Sequence, residues 1–295
     1  MGKGNVSGKA RQLTQITAII DLSRFSAVLA LLLVFRITIG DKDSSSTMNS
    51  NYKIALLIDC DNVSHQSIEG VLQELAKYGA VNVRHAHGNW NGPQLGGWIE
   101  KLHANAIRPV QQFAYTTGKN ATDASMIIDA MDLLYSGNVD AFALMTSDSD
   151  FTPLVMRILE AGLPVFGFGE RKTPMPFVNA CSQFIYTENL REDTEEPDNV
   201  SNGGTPKPTA ETKWGRNKLR GDTLLVRTLR TAVEQTADDD GWAHLGKVGQ
   251  YISNNSSFSP VNYGYKKLSD LIRASELFEM TIRDKNVLYI KSPEK

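Results

Sequence analysis

Five aspartates stand where side chains do chemistry rather than fill a core. Asp59 and Asp61 follow the apolar run Ile54-Ala-Leu-Leu-Ile58, Asp148 and Asp150 follow Ala141-Phe-Ala-Leu-Met145, and Asp123 opens a helical stretch. Short continuous apolar runs read as strands buried on both faces of a parallel sheet. Acids just past such strands gather on the carboxyl edge of the sheet, however far apart they lie in sequence. Clustered carboxylates repel, and a hard dication removes that penalty, since Mg²⁺ or Mn²⁺ takes oxygen ligands from carboxylates, water and substrate phosphate. The chemistry implied is an oriented, acidified water attacking phosphorus while the metal stabilises the developing charge.

Each acid also has a plainer use. Asp150, or Thr152 ahead of Pro153, would cap the following helix, and Asp123 beside Thr122 lies in a first turn, where acids complement the helix dipole. Capping does not account for two acids directly after one buried strand, so Asp59 and Asp61 favour the metal reading. Asp129 lies six residues after Asp123, about 240° around a helix, and is expected to be structural or one step removed from the site. Lys119, Arg171 and Lys172 flank the same sheet edge, as phosphate contacts or as solvated loop charges. His85 and His87 alternate on a strand with no partner His or Cys at ligand spacing, which predicts packing or surface roles.

The elements that must position these residues alternate. Strands are expected over residues 54–58, 80–87, 107–113, 141–145, 164–168 and 183–186, and helices over 67–76, 94–105, 121–135 and 151–160. Strands alternating with helices through short connections define an α/β domain with a mainly parallel, doubly wound sheet. Residues 191–220 pass from an acidic run through Gly and Pro to a basic end, the composition of a flexible linker. Beyond it, helices over 223–236, 244–253 and 265–274 and a hairpin of 278–283 with 287–291 around Asp284-Lys-Asn286 describe a small winged-helix domain. Lys266, Lys267 and Arg273 on its third helix, with Arg283 and Lys285 near the wing, form a local basic face for RNA or an ordinary solvated surface. Trp242 and Tyr263 are expected in its core.

The 295 residues suit two domains, and 41% hydrophobic with 22% charged residues excludes wholesale disorder and a polytopic membrane protein. Lys and Arg number 31 against 33 Asp and Glu, a net charge of −2, so nucleic-acid affinity must be local rather than a bulk charge effect. Two cysteines, Cys60 and Cys181, build neither a disulfide framework nor a zinc spacing, and a reducing, cytoplasmic setting is expected. Residues 1–50 do not conform to the rest. Their uncharged 11-residue run, 25–35, falls short of the ~20 that span a bilayer, which leaves a signal-peptide core, a buried helix or a mis-assigned start with Met48 as the native one. No membrane association is expected.

Three segments resemble the motifs of the NYN domain in its LabA-like branch, which is similar to PIN-domain nucleases: Ile54-Ala-Leu-Leu-Ile-Asp-Cys-Asp-Asn62, Lys119-Asn-Ala-Thr-Asp-Ala-Ser-Met-Ile-Ile-Asp-Ala-Met-Asp132 and Thr146-Ser-Asp-Ser-Asp-Phe-Thr-Pro-Leu154. The resemblance covers residues 51–190 and implies a PIN-like three-layer α/β/α fold with an acidic Mg²⁺ or Mn²⁺ site. Asp59, Asp123 and Asp148 would be core ligands, Asp150 a further ligand or water-orienting group, and Asp61 and Asn62 adjacent supports. Residues 221–295 resemble the OST-HTH, or LOTUS, domain through residues 241–249, 263–272 and the terminal hairpin, which implies RNA binding or docking of a protein partner. The expected function is therefore a metal-dependent ribonuclease. Its rivals are a non-catalytic RNA-binding or regulatory protein, and a haloacid-dehalogenase-type phosphatase in which Asp59 is the nucleophile.

Overall fold

The computed structural model describes residues 51–112, 121–191, 213–283 and 287–293, all within one compact unit. Residues 1–50 with Met48, Phe113 at the end of the third expected strand, Lys119, residues 192–212 of the expected linker and the turn 284–286 with Lys285 lie outside the described residues.

The first part of the chain runs β1 (Tyr52–Asp59), α1 (Ile68–Leu75), β2 (Gly79–Gly88), α2 (Gly96–Ala104), β3 (Arg108–Gln111), α3 (Ala121–Ser136), β4 (Ala141–Met145), α4 (Thr152–Glu160), β5 (Val165–Gly169), α5 (Met175–Ala180) and β6 (Gln183–Tyr186). The six strands form one sheet of order β3-β2-β1-β4-β5-β6, parallel throughout. The central strands are apolar without alternation because both faces are covered: residues 54–58 of β1 and all of β4 are fully buried. Successive side chains leave opposite faces. Ile54, Leu56 and Ile58 pack against Val71 and Leu75 of α1 and Trp98 and Leu102 of α2. Ala55 and Leu57 pack against Met126, Ala130 and Leu134 of α3, with Val155 and Ile158 of α4 and Phe177 of α5 on the same side. This is the expected three-layer α/β/α arrangement.

The strand order reverses between β1 and β4. The chain leaves β1 toward β2 and β3, then α3 carries it back to β4 on the other side of β1. The connections therefore diverge there and open a crevice beyond the carboxyl ends of these two strands, where open α/β sheets bind ligands. Helix α5 was not anticipated: six residues are too few for a helical period to register.

The C-terminal part comprises α6 (Arg216–Gly221), α7 (Thr223–Thr236), β7 (Trp242–His244), α8 (Leu245–Asn255), α9 (Leu268–Ser275), β8 (Glu279–Arg283) and β9 (Val287–Lys291), with strand order β7-β9-β8. Helix α6 falls inside the stretch expected as linker, and its Leu219 is fully buried in the module's core. The surrounding basic residues mask that single apolar anchor in the sequence. Helix α9 starts at Leu268, three residues later than expected, because Lys267 is extended (φ −134°, ψ 145°). Lys266 and Lys267 thus precede the helix, and Arg273 alone of the three lies on it.

The two parts meet at the edge strand β6. Phe184 N–H donates to the Ser257 carbonyl at 2.9 Å. The Asn262 side-chain amide donates to the Phe184 carbonyl at 2.8 Å and accepts from Tyr186 N–H at 2.9 Å and from Asn189 Nδ2 at 3.3 Å. An exposed strand edge otherwise offers unpaired backbone groups to any other strand, and here the C-terminal module covers it.

Candidate functional site

Asp59 is the last residue of β1 and is fully buried. Its Oδ2 accepts from Asn62 Nδ2 and from Thr146 Oγ1, each at 2.8 Å. Its Oδ1 is buried without a hydrogen-bond partner. Burial pushes the Asp59 carboxyl above its usual range; the Asn62 and Thr146 hydrogen bonds pull it down, and the charges of Asp61 and Asp148 push it up again.

Thr146, the residue after β4, is fully buried and makes two links. Besides donating to Asp59, its Oγ1 accepts from Asp148 N–H at 3.1 Å, which fixes the turn leading to α4. Asp148 then caps the 3₁₀ turn Ser149–Phe151, its Oδ1 accepting from Asp150 N–H at 2.8 Å. The capping acid is thus Asp148, not Asp150 or Thr152: the short turn before α4 shifts the cap back by two residues and leaves the Asp150 side chain exposed. Ser147 Oγ accepts from Glu170 N–H at 2.8 Å and ties the end of β5 to the same edge.

From the other direction, Asp61 Oδ2 accepts from Thr122 Oγ1 at 3.1 Å, joining the loop after β1 to the first turn of α3. Asp123 follows in that turn. Its carboxyl is pushed up to about 6, first by burial and then by the charges of Asp59, Asp148, Asp150 and Asp61. The fold therefore brings all five predicted aspartates into one electrostatic neighbourhood at the switch point, and Asn62 joins them through Asp59.

Four of the predicted cations have neighbours within the protein. Lys172 pairs with Glu170 at 2.8 Å. Arg171 donates from its backbone N–H to Glu188 Oε1 at 2.9 Å and from its guanidinium to Asn189 Oδ1 at 3.2 Å, and lies over the Tyr186 ring at 5.5 Å. In the C-terminal module Arg273 faces Asp270 at 3.7 Å. Arg283 stacks over Trp242 at 4.8 Å and Tyr289 at 5.4 Å, so Trp242 is half-buried beneath a cation rather than in the core. Tyr263 packs against Trp214 and Phe258, as expected of a core residue.

His87 is buried and His85 partly exposed, and both meet a partner that the sequence reading did not supply. His85 Nδ1 and His87 Nε2 lie 2.7 and 3.0 Å from Asp129 Oδ2, and His87 is fully buried. The pairing spans more than forty residues, so no local spacing reveals it; the two rings on one strand face were the signal. The Thr146 and Thr122 supports were also missed, although both stand inside the motifs that carry the acids.

A parallel sheet of this order, with helices on both faces and acids at its switch point, defines a doubly wound α/β/α domain, here joined to a small winged-helix module. Residues 53–190 match the NYN domain and residues 221–290 match the OST-HTH/LOTUS domain. The chain is an NYN-domain protein with a C-terminal OST-HTH/LOTUS domain, pairing a domain of the nuclease class with one of the RNA-binding class. It is 26% identical over 122 residues to an uncharacterized protein of Methanocaldococcus jannaschii, a match covering 40% of this chain and 48% of that protein. The chain thus spans about half the length of that curated relative. Among solved structures it is similar to a protein of unknown function from Vibrio parahaemolyticus, with 21% identity, TM-score 0.39, and coverage of 48% of this chain and 96% of that one. It is also similar to an uncharacterized protein of Nitrosomonas europaea, with 30% identity, TM-score 0.24, and coverage of 32% and 93%. Among the described residues no helix is long and apolar enough to cross a membrane.

Proposed function

We propose that the chain is a metal-dependent ribonuclease that hydrolyses RNA phosphodiester bonds at the β1–β4 edge. The observation that carries this reading is Asp59: a fully buried carboxylate with one oxygen left without a donor, surrounded by four further aspartates. Such an arrangement is costly unless a cation or a proton occupies it. The donor set is all oxygen, which fits Mg²⁺ or Mn²⁺. Asp59, Asp123 and Asp148 would hold the ion, with Asp61 and Asp150 beside them. Bound there, the metal would polarise a phosphate oxygen and acidify its water. Thr146 and Asn62 occupy Asp59 Oδ2 with hydrogen bonds, so the partnerless Oδ1 would be the atom offered to the metal. Asp150, exposed at the start of its turn, orients the attacking water and accepts its proton. Lys266 and Lys267 contact RNA phosphates from the C-terminal module, and no covalent enzyme intermediate forms.

The full chain, incubated with labelled RNAs and DNAs and Mn²⁺, tests this reading beside Asp148→Asn. Cleavage of RNA is expected, falling at least about 100-fold in the variant while RNA binding persists. If wild type and variant bind RNA but leave every substrate intact, the protein is a non-catalytic RNA binder. A phosphoryl group trapped on Asp59 would make it a phosphatase.

A further inference from the structure

His85, His87 and Asp129 bring three ligand atoms from two elements to one point beside the acidic edge. Val83, two residues before His85, packs in the cluster beneath α3, so by strand alternation both rings leave that same face of β2. Asp129 Oδ2 meets His85 Nδ1 at 2.7 Å and His87 Nε2 at 3.0 Å, and all three atoms lie within 4.8 Å of one another. Two features exceed what fastening a helix to a strand requires. Both rings converge on the same carboxylate oxygen instead of using one each. His87 is fully buried, so its ring is held out of water with Nε2 directed at the Asp129 carboxylate. The His85 and Asp129 side chains keep 16% and 24% of their surface exposed, so solvent reaches the cluster from their side.

We propose that His85 Nδ1, His87 Nε2 and Asp129 Oδ2 form a site for a borderline dication of the Zn²⁺ class, distinct from the oxygen-only acidic edge. Two imidazole nitrogens and one carboxylate suit Zn²⁺ or Co²⁺ and are a poor set for Mg²⁺. Ligand atoms of a tetrahedral site with bonds of about 2.0 Å stand about 3.3 Å apart, so the two contacts to Asp129 Oδ2 would open by a few tenths of an ångström while the two ring nitrogens, within 4.8 Å of each other, adjust to the same spacing. Neutral rings with an ionised carboxylate carry one negative charge, which a dication reverses. The bound ion ties β2 to α3 about 9 Å along the helix axis from Asp123. The site does not depend on the nuclease reading.

Co²⁺ added to the metal-stripped full chain is the test. One equivalent is expected to give visible ligand-field absorption that Zn²⁺ abolishes and excess Mg²⁺ does not. The absorption should persist in Asp148→Asn, vanish in Asp129→Asn, and show at least tenfold weaker Co²⁺ affinity in His85→Asn, a partly exposed position that keeps the test valid if Asp129→Asn unfolds. Absence of the absorption, or equal affinity in wild type and His85→Asn, would overturn the proposal and leave only a hydrogen-bonded clamp.

Discussion

Thr146 Oγ1 donates to Asp59 Oδ2 at 2.8 Å across the β1–β4 switch point, joining residues 87 positions apart. Both side chains are fully buried, so the hydroxyl stands where water would otherwise solvate the carboxylate. Thr146→Val keeps the shape and removes the donor. The variant should lose about 1–3 kcal/mol of stability at pH 7.5 in urea unfolding. A hydrogen bond to the charged form lowers a carboxyl pKa, so the loss should be full where Asp59 is ionised and shrink as pH falls and the group takes up a proton. Equal stability of the two proteins at pH 7.5 would show that Thr146 does not support Asp59.

Asp123 carries the pH dependence of the edge. Its folded pKa of about 6 lies above the ordinary value of 3.8, so the metal-free folded state binds the extra proton and loses stability as pH rises from about 4 through 6. A cation competes with that proton. Apparent Mn²⁺ affinity, measured calorimetrically, should rise up to about tenfold per pH unit below 6 and level off above about 7. Asp123→Asn should flatten this profile and bind Mn²⁺ weakly throughout. A wild-type affinity unchanged between pH 5 and 7.5 would contradict the assignment.

These two relationships show what local sequence can carry. Ile54 to Asp59 and Ala141 to Asp148 each combine a fully apolar run with an abrupt acid, so strand, burial and edge position are readable within ten residues of one another. The partners that tune those acids are not. Thr146 looks like any residue of a loop until the parallel pairing of β1 with β4 sets it against Asp59. Asp129 reads as an acid turned away from Asp123 on α3, and only the packing of α3 across β2 reveals that it faces His85 and His87. Leu219 is the opposite case: one apolar residue among Arg216, Lys218 and Arg220 makes no period, and its burial anchors a helix where composition predicts linker.

Asn262 sets the position of the C-terminal module through its hydrogen bonds to Phe184, Tyr186 and Asn189. One side chain here takes the place of a neighbouring strand, using its carbonyl and its amide at once. Asn262→Ala leaves the edge groups of β6 to water and should cost the junction about 1–3 kcal/mol. Thermal unfolding, expected as one transition across both parts in the wild type, should split into two transitions, and proteolysis should separate the parts faster. A single unshifted transition would mean that the apolar contacts of Val261 with the first core suffice.

The expected basic face divides into residues of two kinds. Arg283 is sandwiched against Trp242 and Tyr289 and faces Asp240 at 3.6 Å, so its charge and its stem are already used. Lys266 and Lys267 are exposed ahead of α9. Replacing both lysines with alanine should weaken RNA binding and reduce the slope of log affinity against log salt by about 1 to 1.5, the release expected of two phosphate contacts on a single strand. Arg283→Ala should leave that slope unchanged and lower the melting temperature of the module, because the variant loses stacking rather than a phosphate contact. Filter binding across a salt series separates the two: a slope change confined to Arg283→Ala would place the RNA on the wing instead of at the entrance to α9.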